Sequence, residues 1–341
     1  MGTDIDHEEF GERDYARFAQ RLEECLTVLG QLLNKPGFGA GPATIGAELE
    51  LFLIDAAGRP LPHNQAIRAA VADPRVTLEL NRCNLELNAS PALLAGRPFT
   101  ALGGELNLLA DRVAHAARDH RGRVAVIGIL PTLSPAELDR GAMTDLPRYR
   151  ALDAGLRRLR QDPFHIQIAG ADPLDLAAEN VGLEAANTSF QVHLRVDPAD
   201  FTRIYNAVQL ATAPVLAVAG NSPTFLGHRL WEETRIALFK QSVDDRRPGP
   251  RRRPARATLG TGWLRGGALE LFTESIRRHQ PLLPVLGHPD QMTGATAGQA
   301  PPLDELRLHQ GTCGGGTGPS TTPPPAGTCG SRCAPCPPAP P

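Results

Sequence analysis

Acidic residues alternate with apolar ones over residues 45–52, and this alternation constrains the fold more than any other feature of the chain. Successive side chains of a β-strand point to opposite faces of the sheet. Glu48 and Glu50 therefore share one face, while Leu49 and Leu51 share the other. The pattern predicts a strand over residues 44–54 that has one polar face and one apolar face.

A second acidic stretch, residues 78–88, predicts a β-hairpin. If Arg82 and Cys83 form its two-residue turn, Glu79 faces Glu86 across the ladder. Like charges in these positions repel, so a sheet face with four carboxylates needs water, basic side chains or divalent cations to neutralise it. Hard cations such as Mg²⁺ prefer oxygen ligands of this kind. A solvated sheet face stays the alternative interpretation.

Length and composition indicate a soluble globular protein, since 341 residues with 41% apolar composition supply the core of one large domain or two ordinary ones. The net charge of -2 gives no general electrostatic reason to bind nucleic acid or a membrane. The first residues are acidic and lack an apolar leader segment, and nowhere do eighteen apolar residues run together. We expect a cytoplasmic protein and leave its oligomeric state open, a homo-oligomer included.

The spacing of apolar residues predicts the remaining elements. Helices are expected over residues 11–34, 99–120, 145–160 and 201–218. Further strands are expected over residues 124–130, 166–168 and 188–196. Strands that alternate polar and apolar residues, without strict βαβ spacing, favour an α+β fold with a mainly antiparallel sheet. The Pro/Arg-rich segment 244–256 is predicted to be an exposed, mobile connection.

Five motifs occur in an order that resembles the second glutamate-cysteine ligase family, the carboxylate-amine ligases of the glutamine-synthetase-like superfamily. These motifs are Gly46-x-Glu48-x-Glu50-x-Phe52, the hairpin from Glu79 to Glu86 leading to Ser90-Pro91, the strand Gln191-Val192-His193, Gly220-Asn221-Ser222-Pro223, and Arg235. The resemblance covers roughly residues 40 to 312. It implies a half-barrel of curved antiparallel sheet with helices packed on its outer face.

The activity that the resemblance implies is ATP-dependent ligation. The side-chain carboxylate of glutamate is phosphorylated by ATP, and the amine of cysteine, or of a related substrate, attacks the acyl phosphate. Mg²⁺ or Mn²⁺ is the implied cofactor, because divalent cations neutralise the charge of transferring phosphates. No P-loop or GxGxxG motif is present, which is consistent with metal-centred ATP binding.

By matching positions, the resemblance also implies two sets of site residues. The metal ligands are Glu48, Glu50, Glu86 and His193. Nucleotide or substrate is held by Gln191, Arg235, Arg307 and His309, with Glu79 and Arg235 as the catalytic groups and Glu79 as a further ligand or a substrate-orienting group. Without the resemblance, His193 is as consistent with a structural histidine and Arg235 with a salt-bridged helix residue.

The composition changes to Gly, Thr, Pro and Cys after Thr312, and such a segment cannot build a core. We therefore predict a C-terminally incomplete catalytic domain over residues 1–312 and a disordered tail over residues 313–341. The tail cysteines lack the second CxxC or the histidine pair that a zinc site needs.

An alternative reading frame explains this tail. The frame that starts at the third base of each codon can encode Arg-Arg-Trp-Asn-Arg-Ala-Val-Tyr-Asp-Pro from Cys313 onward. From Thr328 onward it can encode Leu-Arg-Ile-Glu-Met-Arg. We predict a frameshift at residue 312 or 313 that removes the family's late Glu and Arg and impairs turnover. Two other functions stay open, a catalytically inactive nucleotide- and metal-binding homologue and a phosphotransferase of the same superfamily.

Overall fold

The computed structural model describes residue 5, residues 7–247, 253–287 and 301–313, and the backbone of two short strands beyond them. The helices in this part of the chain are α1 (Glu12–Leu33), α2 (Asn64–Val71), α3 (Pro98–Arg118), α4 (Pro147–Leu159), α5 (Phe201–Ala219), α6 (Thr234–Ser242), α7 (Ala268–Arg278) and α8 (Asp304–Gly311). None of these described helices is both long enough and apolar enough to span a membrane. The four predicted helices are confirmed as α1, α3, α4 and α5.

The strands that the structure describes are β1 (Thr44–Ile54), β2 (Val76–Leu78), β3 (Asn84–Leu93), β4 (Arg123–Ala125), β5 (Phe164–Ala169), β6 (Pro173–Ala178), β7 (Phe190–Arg195), β8 (Thr224–Phe225), β9 (His228–Arg229), β10 (Gly318–Ser320) and β11 (Gly330–Arg332). The main sheet has the order β10-β11-β7-β1-β3-β2, and β4 pairs with β1. Its pairs are antiparallel. The predicted α+β fold with a mainly antiparallel sheet is confirmed, while the half-barrel curvature stays a prediction.

The apolar face of β1 forms the main core of the domain. Leu51 and Leu53 are fully buried there and pack in one cluster with Leu109 and Val113 of α3. Burying a leucine side chain stabilises a fold by about 1.5–3 kcal/mol. This face anchors the sheet, and the opposite face carries Glu48 and Glu50.

The predicted register of the hairpin is wrong. The structure pairs Thr77 with Glu86, so the turn is a five-residue loop and not the pair Arg82 and Cys83. The backbone N–H of Arg82 donates to the carbonyl of Ala142 at 2.9 Å, which draws the loop onto another segment of the chain. A distant pairing therefore sets this turn, and local turn chemistry does not.

Two other predictions need correction. The strand expected over 124–130 ends at Ala125, because the N–H of Gly128 donates to the carbonyl of Asn221, outside the sheet. The segment 244–256 is not an exposed connection throughout, since Asp245 and Arg256 are buried and joined by an ion pair of 2.7 Å. Buried charges persist when they are paired in this way. Residues 248–252 lie outside the described part of the chain.

Candidate functional site

Three carboxylates meet on the polar face of the sheet. Glu50 of β1, Glu86 of β3 and Glu79 of the loop after β2 each bring one oxygen within 4.8 Å of the others. Glu50 lies directly opposite Glu86 in the β1–β3 ladder. Thr77 pairs with Glu86 in the observed register. Glu79 follows Thr77 by two residues, and this spacing keeps its side chain on the same face as Glu86. We call these three residues the carboxylate triad.

Polar neighbours orient two members of the triad. Glu50 accepts hydrogen bonds from the backbone N–H of Ser189 at 2.8 Å, from the Ser189 hydroxyl at 2.9 Å and from Gln191 Nε2 at 3.4 Å. Glu86 accepts from the Thr77 hydroxyl at 3.0 Å and from Asn88 Nδ2 at 2.9 Å. Such outer contacts fix the direction in which a carboxylate presents its remaining lone pairs to a ligand.

The electrostatic surroundings of Glu50 and Glu79 favour their protonated forms when no cation is bound. Burial raises the pKa of Glu50 to about 8, and the negative charge of Glu86 adds to this shift. Burial also raises the pKa of Glu79 well above its usual range, helped by the charges of Glu86 and Glu50. Both effects disfavour the ionised forms. A divalent cation would reverse this preference by pairing with the carboxylates.

Glu48 and His193 lie beside the triad, further along the same face. The ladder places Glu48 opposite Gln191 of β7 and opposite Asn88 of β3. His193 Nε2 lies 3.4 Å from Glu48 Oε1. The two residues thus form a pair next to the triad, and the carboxylate of Glu50 lies within hydrogen-bond reach of Gln191.

Arg235 is buried in α6 and its donors bind protein groups. Nε and Nη2 each donate to a carboxylate oxygen of Glu233 at 2.6 Å, and Nη1 donates to the carbonyl of Thr188 at 2.7 Å. Thr188 precedes Ser189, so this arginine supports the segment that binds Glu50. Gly128 allows the close approach, because a Cβ there would lie 2.8 Å from Arg235 Nε. The structure thus shows Arg235 in a salt bridge, and its predicted role on phosphate or carboxylate stays a prediction.

Arg307 and His309 lie in another part of the fold. Their helix, α8, packs against α1 and α7. Arg307 Nη1 pairs with Asp304 at 3.2 Å, and buried His309 places Nε2 3.8 Å from Cys313 Sγ. No described contact brings either residue to the triad. Their assignment to nucleotide binding therefore rests on the resemblance alone.

Sequence reasoning missed two charged residues beside the triad. Glu184 lies in the 3₁₀ helix Val181–Ala186, and burial raises its pKa to about 7. The positive charge of Arg148, at the start of α4, opposes that rise and also opposes the rise in the pKa of Glu79. Neither residue belongs to a periodic strand or to a motif, so the sequence pattern carries no signal for them.

The family model described as glutamate-cysteine ligase family 2 matches residues 44–253. This range includes the triad, Glu48, Gln191, His193 and Arg235, and it ends before Arg307 and His309. A comparison with curated proteins finds no match.

Two solved structures show distant similarity. One is a glutamate-cysteine ligase from Francisella tularensis in complex with AMP, at 12% identity and a TM-score of 0.37, covering 55% of this chain and 36% of that chain. The other is a bifunctional glutathione synthetase from Pasteurella multocida, at 13% identity and a TM-score of 0.35, covering 63% of this chain and 31% of that chain. This chain thus spans well under two thirds of the length of either of these two solved proteins.

Proposed function

The chain belongs to glutamate-cysteine ligase family 2, and from this membership we propose that it is an ATP-dependent carboxylate-amine ligase acting at the carboxylate triad. The reaction we propose joins the side-chain carboxylate of glutamate to the amine of cysteine. The observation that carries the proposal is that Glu50, Glu79 and Glu86 converge within the range that the family model matches.

The chemistry explains why the site would be acidic. A carboxylate is a poor electrophile, so one of its oxygens first attacks the γ-phosphorus of ATP and ADP leaves. The amine nitrogen then attacks the acyl carbon of the acyl phosphate, inorganic phosphate leaves, and the nitrogen loses a proton. Glutamate, ATP and the acyl phosphate are all anionic, so they approach a carboxylate face only if cations are present.

The residues of the triad fit a divalent cation. They offer oxygen ligands, which Mg²⁺ and Mn²⁺ prefer, and their mutual repulsion is relieved when a cation is bound. Glu50, Glu79 and Glu86 would hold the cation, and we propose Glu48 and His193 as further ligands beside them. When bound, such a cation neutralises phosphate charge and aligns the reacting groups.

The other side chains have supporting roles in this proposal. Gln191 and Ser189 hold the Glu50 carboxylate in one orientation. Arg235 binds the carbonyl of Thr188 and so fixes the segment that carries Ser189. Its planar guanidinium would suit a phosphate or a carboxylate if the contact with Glu233 opened on substrate binding.

We also propose that this chain turns over poorly. The backbone of β11, Gly330–Arg332, pairs with β7 over Arg195, Leu194 and His193. The segment after Thr312 therefore reaches the sheet edge beside a proposed ligand, but residues 313–341 contain no Asp or Glu. The alternative reading frame would supply Leu-Arg-Ile-Glu-Met-Arg in this region, including the late Glu and Arg that the family resemblance implies.

Mg²⁺-dependent ADP release with glutamate and cysteine tests the proposal directly. We would compare this chain, a chain with the frame restored after Thr312, and each of them with Glu86→Gln. Glu23→Gln, on the exposed side of α1, is the matched control. Activity that appears in the restored chain and is lost with Glu86→Gln supports both the function and the impairment.

Other outcomes identify the alternatives. ADP formation without an amine-dependent peptide product indicates a phosphotransferase. Nucleotide-dependent thermal stabilisation without turnover in both chains indicates an inactive binding homologue. A coding sequence that cannot be read in the alternative frame contradicts the frameshift.

A further inference from the structure

A cysteine at the C-terminal end of α8 has no role in the reaction proposed above. Cys313 follows the helix by two residues, and its backbone N–H donates to the carbonyl of Gln310 at 3.1 Å. This hydrogen bond ties the cysteine to the last turn of the helix. The residue is partly exposed, so a small molecule in the solvent can reach its sulfur.

Two nitrogen groups contact the Cys313 sulfur. His309 Nε2 lies 3.8 Å from Sγ, and Arg256 Nη1 donates to Sγ at 3.6 Å. His309 precedes the cysteine by four residues, the spacing that places two side chains on the same side of a helix. Both His309 and Arg256 are buried, each with 1% of its surface exposed. Water therefore screens their interaction with the sulfur only weakly.

The Arg256 guanidinium is held in place by contacts on its other side. Its Nε and Nη2 donate to Asp245 Oδ2 at 3.0 and 2.7 Å, and Nη2 also donates to the carbonyl of Gln280 at 2.7 Å. The remaining nitrogen, Nη1, faces the carbonyl of Thr312 at 3.4 Å and the sulfur. The donor that meets the sulfur is thus fixed by the fold before any reagent arrives.

The charges around the sulfur favour its ionised form. Burial raises the pKa of the Cys313 thiol, but His309 and Arg256 together outweigh this effect and bring the pKa below its ordinary value. Asp245 lies on the far side of Arg256, with which it is paired. His279, at the end of α7, is neutral at pH 7 because burial lowers its pKa to about 4.

The other two described cysteines have the opposite surroundings. Cys25 and Cys83 are buried, and burial raises the pKa of each thiol to about 12. The thiolate is the nucleophilic form of cysteine, and reactive thiolates lie in partly exposed, electropositive places. Among the cysteines that the structure describes, Cys313 alone meets both conditions.

A buried hydroxyl beside the sulfur indicates what the site can accept. Ser275 of α7 is 8% exposed, and within the described residues its Oγ forms no hydrogen bond. It nevertheless lies near enough to Cys313 to lower the pKa of the thiol. Buried hydroxyl groups are normally paired. An oxygen atom bonded to the sulfur would accept a hydrogen bond from this one.

We propose that Cys313 is a modification site at which a small peroxide oxidises the thiol to a sulfenic acid. The thiol proton passes to His309 Nε2, and the thiolate sulfur then attacks one peroxide oxygen. A sulfur–oxygen bond forms, the oxygen–oxygen bond breaks, and the sulfur loses two electrons to the peroxide. The departing hydroxide takes the proton from His309 and leaves as water. Arg256 stabilises the thiolate, and the Ser275 hydroxyl binds the new oxygen.

This inference does not depend on the proposed ligase reaction. Cys313 lies outside the range that the family model matches. In the alternative reading frame an arginine stands in its place. The site therefore belongs to this chain as written, and the frame-restored chain should lack it.

Hydrogen peroxide followed by dimedone, which traps sulfenic acids, tests the proposal on the full chain. Fragment mass spectra assign the label to individual cysteines. We expect an adduct on Cys313 at pH 7 and none on Cys25 or Cys83. The rate of alkylation of Cys313 by iodoacetamide, followed against pH, should have a lower midpoint in the folded chain than in the same chain in urea.

His309→Gln should raise that midpoint and slow the peroxide reaction at pH 7 by about tenfold for each unit of increase in the pKa. Ser275→Ala should raise the midpoint by less. His165→Gln, on the exposed side of β5, is the matched control, and thermal unfolding establishes that each variant folds. If His309→Gln does not fold, the comparison with urea on the unaltered chain decides. Absence of the Cys313 adduct, equal midpoints in the folded and unfolded chain, or unchanged rates in folded His309→Gln overturn the inference.

Discussion

Binding of Mg²⁺ to the triad should release protons near neutral pH. Glu50 has a pKa of about 8 because it is buried and faces Glu86. At pH 7 such a group is about 90% protonated, and a metal ligand must be ionised, so binding expels about one proton at this residue. Glu79, whose pKa is also raised, can only add to that number.

Calorimetric titration of Mg²⁺ in two buffers with different ionisation enthalpies measures the released protons. We expect about one proton or more at pH 7, fewer at pH 9, and an affinity that rises with pH up to about 8. Glu50→Gln should reduce the release, while Glu23→Gln should leave it unchanged. Binding at pH 7 with no proton release would show that Glu50 and Glu79 are already ionised and would refute the electrostatic argument.

The same pKa shifts set the sign of the pH dependence of stability in the metal-free chain. A carboxyl group with a raised pKa binds more protons in the folded state than in the unfolded state. The stabilisation from Glu50 is therefore present below its ordinary pKa of 4.5 and is lost as the pH rises toward about 8. Saturating Mg²⁺ should reverse this trend, because it binds the ionised form.

Three further predictions concern the framework. Leu51→Ala should lower the free energy of unfolding by about 2–5 kcal/mol in urea titrations, since Leu51 is fully buried, and an unchanged midpoint would contradict the core assignment. Gly128→Ala should cost about 1–3 kcal/mol and weaken substrate binding, because the new methyl group would lie 2.8 Å from Arg235 Nε; a silent variant in both assays counts against this contact. Burial lowers the pKa of His279 to about 4, so stability should fall as the pH drops from 6.5 through 4, and His279→Gln should flatten that slope in thermal unfolding scans.

The sequence predicts the parts of the site that depend on strand periodicity. In β1, alternation alone separates Glu48 and Glu50 from the leucines, and the structure confirms the two faces. The hairpin register could not be predicted in the same way, because Arg82 pairs with the distant residue Ala142. Local turn rules cannot predict a hydrogen bond between residues so far apart in the chain.

The charged residues around the triad were harder to predict for a related reason. Arg235 occupies its donors with Glu233, two residues before it, and with the carbonyl of Thr188, and only tertiary packing brings Thr188 to α6. Glu184 lies in a 3₁₀ helix, where neither helical nor strand periodicity applies. Contacts between elements far apart in the chain determined both environments.

The two faces of β1 divide stability from chemistry. Leu51 and Leu53 anchor the strand in the core, whereas Glu50 on the other face is held against Glu86 in an arrangement that opposes folding without a cation. The strand tolerates this repulsion because burial of its leucines outweighs it and because Ser189 and Gln191 keep the Glu50 carboxylate hydrogen-bonded. A site that is unfavourable alone and favourable with a cation is one whose folding and binding are coupled. This is why we propose that the acidic alternation in β1 serves ligand binding, since a sheet selected only for stability would not place Glu50 opposite Glu86.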